Sequence, residues 1–136
     1  MSYVKRAVLD NFKNNLKPNK VLVLLGARRV GKTQLIKKYL ETVEEKVLQL
    51  NGEDLNDARL LEERTLENYA RLFQNIGLLV IDEAQAVQDI GLILKFIVDH
   101  IEGIKVIATG SSMFDLANKL GEPLVGRKNT LFLYPL

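Results

Sequence analysis

The sequence predicts an α/β fold, a parallel sheet with helices on both faces. Three observations predict it. Strand-like and helix-like segments alternate along the chain, as in a sheet built from strand–helix–strand units. Val21 to Leu25 is an unbroken β-prone apolar run, which suits a strand buried on both faces. Polar clusters stand just past three of the strands, at 26–33, 82–85 and 109–112. Right-handed crossovers put all strand C-termini on one sheet edge, where such folds bind ligands, so the three clusters should converge.

The elements follow in order. Tyr3 to Asn15 carries Val4, Ala7, Val8 and Phe12 at helical spacing and is read as a flanking amphipathic helix. Pro18 and Asn19 break the chain before the first strand, Val21 to Leu25. A Gly-containing loop leads to a helix from Lys32 to Glu41. Lys46 to Leu50 is a second strand ending at Asn51-Gly52. Ala58 to Glu63 and Thr65 to Gln74 read as helical. Gly77 precedes a third strand, Leu78 to Ile81. Asp89 to Ile101 is apolar almost all round, as a helix packed on a sheet should be. Lys105 to Ala108 is a fourth strand, Phe114 to Leu120 a short helix, and Thr130 to Tyr134 a fifth strand. With no repeat or linker, residues 1–136 are read as one domain.

Composition limits the chemistry. The 136 residues are 47% hydrophobic and 26% charged with a net charge of +2, ordinary for a soluble protein and too balanced to argue for nucleic acid or a membrane. The absence of cysteine excludes disulfides, thiol catalysis and cysteine metal sites. The N-terminus has no apolar signal core, and no apolar stretch approaches the roughly 20 residues a membrane span needs. A cytoplasmic setting is expected.

Gly26-Ala27-Arg28-Arg29-Val30-Gly31-Lys32-Thr33 matches the phosphate-loop pattern G-x-x-x-x-G-K-[ST] without a mismatch. Such a loop must wrap a phosphate closely enough for backbone N–H groups to point inward, and side chains at Gly26 and Gly31 would obstruct that path. The helix that begins near Lys32 aims free N–H groups and its positive dipole end at the anion. Lys32 adds a full charge for the β- and γ-phosphates, and the Thr33 hydroxyl is a ligand for Mg²⁺. Gln34 closes the expected binding stretch. A chance match has odds of roughly half a percent for a chain of this length, and the flanking strand and helix reduce them further. Arg28 and Arg29 either contact phosphates or a partner, or form exposed solvated charge, the reading the sequence favours.

Leu78-Leu79-Val80-Ile81-Asp82-Glu83 is an apolar strand running into two acids, fifty residues past Lys32, and looks like a Walker B element. Asp82 is placed to hold Mg²⁺ beside Thr33, and Glu83 to activate water as general base. Gln85 is a further candidate for water or subunit contacts. In Val106 to Ser112, a hydroxyl at a strand end can sense the γ-phosphate. Ser111 is the first choice and Thr109 the second, against ordinary turn and cap chemistry. Arg127 is either an arginine finger, for its own or a neighbouring site, or surface charge. His100 reads as a surface residue at a helix C-terminus. Phe12, Phe96 and Phe132 read as core.

Together GARRVGKTQL (26–35), LLVIDEAQ (78–85), ATGSSMFDL (108–116) and VGRKNTLFLYPL (125–136) resemble the prokaryotic AAA-type P-loop ATPases of AAA domain family 14. The resemblance spans nearly the whole chain. It implies a three-layer αβα sandwich with a five-stranded parallel sheet of order 5-1-4-3-2. It also implies that Lys32 and Thr33 serve phosphates and metal, Asp82 metal and Glu83 as base, with Ser111 and Arg127 at the sensor and GR positions. Members usually continue beyond the position of Leu136, so the chain is expected to be the ATPase core of a longer protein. The expected function is Mg²⁺-dependent ATP binding and hydrolysis, and the alternative a non-catalytic nucleotide switch or assembly module. A homo-oligomer, or a further C-terminal domain, is an expected partner. A small-molecule kinase lacks an acceptor motif here, nucleic-acid binding lacks a basic stripe with aromatic spacing, and the missing Asn-Lys-x-Asp motif favours ATP over GTP.

Overall fold

Five strands with flanking helices make up the computed structural model, which describes residues 3–26, 32–110 and 123–132. The chain runs α1 (Tyr3–Asn15), β1 (Val21–Leu25), α2 (Lys32–Leu40), β2 (Val47–Asn51), α3 (Leu55–Glu62), α4 (Leu66–Leu72), β3 (Leu78–Asp82), a short 3₁₀ turn (Ala84–Ala86), α5 (Ile90–His100), β4 (Lys105–Gly110) and β5 (Lys128–Phe132). All strand pairs are parallel. The sheet order β2-β3-β4-β1-β5 is the expected 5-1-4-3-2 read from the other edge.

Alternation along the strands builds the three layers. Val21, Val23, Leu25, Leu79, Ile81, Val106 and Ala108 face α3, α4 and α5, meeting Leu61, Tyr69, Ile93, Leu94 and Ile97. Leu22, Leu24, Leu78, Val80 and Ile107 face the other way, onto Leu9 and Phe12 of α1, Leu16 just after it, and Ile36 and Tyr39 of α2. Phe12 is fully buried, its ring 5.1 Å from that of Tyr39 and edge-on to it. Phe96 is partly buried against the opposite cluster. His100 is exposed, stacks on Phe96 and contacts the Phe96 carbonyl, as expected of a helix-end surface residue.

Several boundaries differ from the sequence reading, each for a local reason. α3 starts at Leu55 rather than Ala58, because the Asp54 carboxylate accepts from the N–H groups of Asn56 and Asp57 and caps the helix. β5 starts at Lys128 rather than Thr130. Its first residues are polar but pair with Val21 and Leu22 at the sheet edge. β2 begins and ends one residue later than expected. β4 continues through Thr109 and Gly110, so Thr109 is a strand residue and not part of a turn. The expected helix at 114–120 lies outside the described residues.

Asn19 fastens the edge of the sheet opposite the polar clusters. It takes a left-handed φ of 57°. Its side-chain amide donates to the Val98 and Ile101 carbonyls at the end of α5 and accepts from the Gly103 N–H, each at 2.8 Å.

Candidate nucleotide site

The ends of β1, β4 and β3 lie side by side. Leu25 is in register with Gly110, and Ile81 with Ala108. The Gly26 N–H donates to the Gly110 carbonyl at 3.3 Å, which fixes the first glycine of the phosphate loop beside the end of β4. β4 is the middle of the three strands, so Gly26 and Asp82 stand two strand spacings apart, about 10 Å. α2 begins at Lys32, six residues beyond β1. An α-helix has its first N–H groups without intrahelical partners and its positive dipole end at that terminus. Lys37 and Lys38 occupy the last turn, complementing the other end of the dipole.

Beyond Gly26 the loop is less fully described. Ala27, Arg28, Arg29, Val30 and Gly31 lie outside the described residues, as does Ser111. Lys32 and Thr33 are the first two residues of α2, with their side chains outside the description. Gln34 is exposed in the first turn of that helix.

The acidic pair is well defined. Asp82 is the last residue of β3 and half-buried. Its Oδ1 accepts from the Thr109 hydroxyl at 2.9 Å. The same hydroxyl oxygen accepts from the Glu83 N–H at 3.2 Å. Thr109 itself is only 1% exposed. Glu83 leaves the strand in a left-handed conformation, φ 50° and ψ 50°, which is uncommon for a residue with a side chain. Its carboxylate accepts from the Gln85 side-chain amide at 2.7 Å. Beside it, the Gly52 N–H donates to the Asp82 carbonyl at 2.7 Å, and a Cβ on Gly52 would collide with the Glu83 carbonyl oxygen. Glu83 is thus held at its N–H, its carbonyl and its carboxylate.

The donor set fits Mg²⁺. Among the described residues, Asp82 Oδ1 is taken by Thr109 and no hydrogen bond occupies Oδ2. No cluster of three or more protein ligands forms a metal cage among them. Mg²⁺ is commonly bound by one or two protein oxygens together with substrate phosphates, so a single half-buried carboxylate beside a phosphate loop is a suitable donor.

Arg127 is not brought to this cluster. Its carbonyl accepts from the Val21 N–H at 2.8 Å, at the start of β1, and its guanidinium is paired with Asp99 of α5 at 2.8 Å. The five residue steps from Val21 to Gly26 separate it from the loop by about 17 Å, at roughly 3.3 Å per residue. The hydrogen bond from Arg127 holds the Asp99 carboxyl below the usual Asp range.

Thr109 and Gly52 carry more of the geometry than the sequence reading assigned them. Thr109 was weighed there as a phosphate sensor, yet its single proton goes to Asp82. Gly52 was read only as a strand end. An Asn-Gly pair after a strand is common turn chemistry, and nothing local marks it as the neighbour of Glu83.

The family comparison agrees with this geometry. The AAA_14 family, described as an AAA domain, matches residues 18–136. No curated protein matches the chain. Among solved structures, the Walker-type ATPase PABY2304 of Pyrococcus abyssi superposes with a TM-score of 0.65 at 18% identity, over 97% of this chain and 52% of that one. The chain therefore spans about half the length of that protein, and the likeness is one of fold. Among the described residues no helix is long and apolar enough to cross a membrane. A match over most of the chain, on a sheet of this order with a phosphate-loop motif following β1 in the sequence, identifies a nucleotide-binding domain of the ATPase type: the chain belongs to the AAA_14 family of AAA domains.

Proposed function

We propose that this domain binds ATP with Mg²⁺ and hydrolyses it. The observation that carries the reading is the seating of the phosphate-loop motif between β1 and α2, on the same sheet edge as the Asp82–Glu83 pair. In this reading the backbone N–H groups of residues 26–33 hold the phosphates, and the Lys32 ammonium balances charge on the β- and γ-groups. Thr33 and Asp82 are the residues that would hold Mg²⁺, which when bound offsets negative charge on the phosphate oxygens. Glu83 takes a proton from water as that oxygen bonds to the γ-phosphorus, and the bond to the β–γ bridging oxygen breaks, leaving ADP and phosphate. The amide of Gln85 aims the Glu83 carboxylate. Ser111 remains the proposed γ-phosphate sensor. The cytoplasm, which supplies ATP and Mg²⁺, is the proposed setting.

Lys32→Ala should abolish MgATP binding, and Glu83→Gln should bind MgATP and lose turnover. Unchanged turnover in Glu83→Gln rejects Glu83 as the base.

A second reading, a nucleotide-dependent assembly module with negligible turnover, draws on the position of Arg127. Partly exposed, paired with Asp99 and remote from its own site, it would serve as an arginine finger only toward the site of a neighbouring copy. Phosphate release measured beside sizing chromatography, with and without ATP, separates the two readings.

A further inference from the structure

We propose that Thr109 is a positioning residue that locks the metal-binding carboxylate to the backbone of the general base, and is not a phosphate sensor. The inference rests on the roles proposed above for Asp82 and Glu83. A hydroxyl has one proton, and that of Thr109 is donated to Asp82 Oδ1 at 2.9 Å. One of its lone pairs accepts the Glu83 N–H at 3.2 Å. A group so engaged has no proton for a phosphate oxygen. With 1% exposure, it is also buried.

The arrangement has two consequences. Asp82 is fixed in the rotamer that turns Oδ1 inward to Thr109, leaving Oδ2 for the cation. Glu83 sits in a left-handed conformation that a residue with a side chain adopts only when its surroundings impose it. The Thr109 oxygen anchors the N–H at the start of that turn, so one side chain sets both the metal ligand and the stem of the base. β4 lies between the phosphate-loop strand and the acidic strand, and Thr109 pairs there with Leu24 of β1.

The test compares Thr109→Ser, which keeps the hydroxyl, with Thr109→Val, which keeps the shape and removes it. Fluorescent ATP is titrated into the full chain in EDTA and again in Mg²⁺, and the ratio of the two affinities is the readout. The wild type and Thr109→Ser should show the same Mg²⁺-dependent gain. Thr109→Val should bind ATP in EDTA as the wild type does and lose about 10- to 100-fold of the gain, as expected when the partner of a metal ligand is removed. Turnover measured in Mg²⁺ should fall in parallel. A folded Thr109→Val with the full Mg²⁺ gain overturns the proposal. So does a loss of EDTA-state affinity as large as the loss in Mg²⁺, which would place the hydroxyl on phosphate, and so does a wild type with no Mg²⁺ gain. If Thr109→Val does not fold, Thr109→Cys, a poor donor and acceptor of similar shape, takes its place under the same criteria. Lys32→Ala runs alongside: if it loses ATP while Thr109→Val keeps the metal gain, the positioning role fails and nucleotide binding stands.

Discussion

Replacing Gly52 by alanine tests whether Glu83 is held in place by the close approach of the β2 end. A Cβ built on Gly52 falls within the van der Waals shell of the Glu83 carbonyl oxygen, 3.1 Å from the Glu83 carbonyl carbon and 3.2 Å from Val87 Cγ2. Two of these three atoms are backbone and cannot swing aside as a flexible side chain would. The Glu83 peptide must move, although its N–H is tied to Thr109 and its carboxylate to Gln85. Overpacking of this kind costs about 1–3 kcal/mol. For a domain of this size that is roughly a 3–10 °C fall in Tm. Denaturant and thermal unfolding measure these two quantities, and an ATP turnover assay measures the effect on Glu83. Gly52→Ala should lose stability in that range and lose turnover through kcat, while ADP affinity stays within about threefold of wild type, because the phosphate-loop strand β1 lies three strand positions from β2. Stability within about 0.5 kcal/mol of wild type together with unchanged turnover refutes the reasoning, since surface-like tolerance would mean that nothing is in contact there.

Three further outcomes follow from the same geometry. Asn68, 4% exposed, donates at 2.8 Å to both the Leu60 and Glu63 carbonyls that end α3; Asn68→Ala leaves both without that donor and should cost about 1–3 kcal/mol in denaturant unfolding. Burial pushes the Tyr69 phenol from its ordinary 10.0 up to about 12. The folded state therefore favours the protonated phenol, so this contribution is intact below pH 10 and is lost between there and about pH 12; the loss of stability above pH 10 should be shallower in Tyr69→Phe. Arg127→Ala should leave the MgATP affinity of the isolated chain unchanged in a calorimetric titration, and a tenfold loss would place Arg127 at its own site.

The parts of this molecule that were legible in the sequence are those written in contiguous residues. Val21 to Leu25 is apolar at every position because both faces of a central parallel strand are covered, and its bounds were read without error. The phosphate loop is likewise one unbroken string, and Asp82 and Glu83 are marked by the abrupt end of an apolar run. Strand order came only through the family resemblance, since nothing local to β1 says that it pairs with β4 and β5. What escaped is what depends on pairing across the sheet. Thr109 and Asp82 meet because β3 and β4 are neighbours in register, and a Thr-Gly-Ser-Ser string by itself looks like a turn. Gly52 matters only because the turn after β3 comes back against the end of β2. Arg127 had an inviting position in the string, but the start of an edge strand put it at the far end of the sheet.

The most direct measurement is a calorimetric titration of ATP with Mg²⁺ into the wild type and Lys32→Ala. The account predicts one nucleotide per chain for the wild type and at least a hundredfold loss of affinity, or no detectable heat, for the variant. Equal binding by both proteins, or none by either, contradicts it.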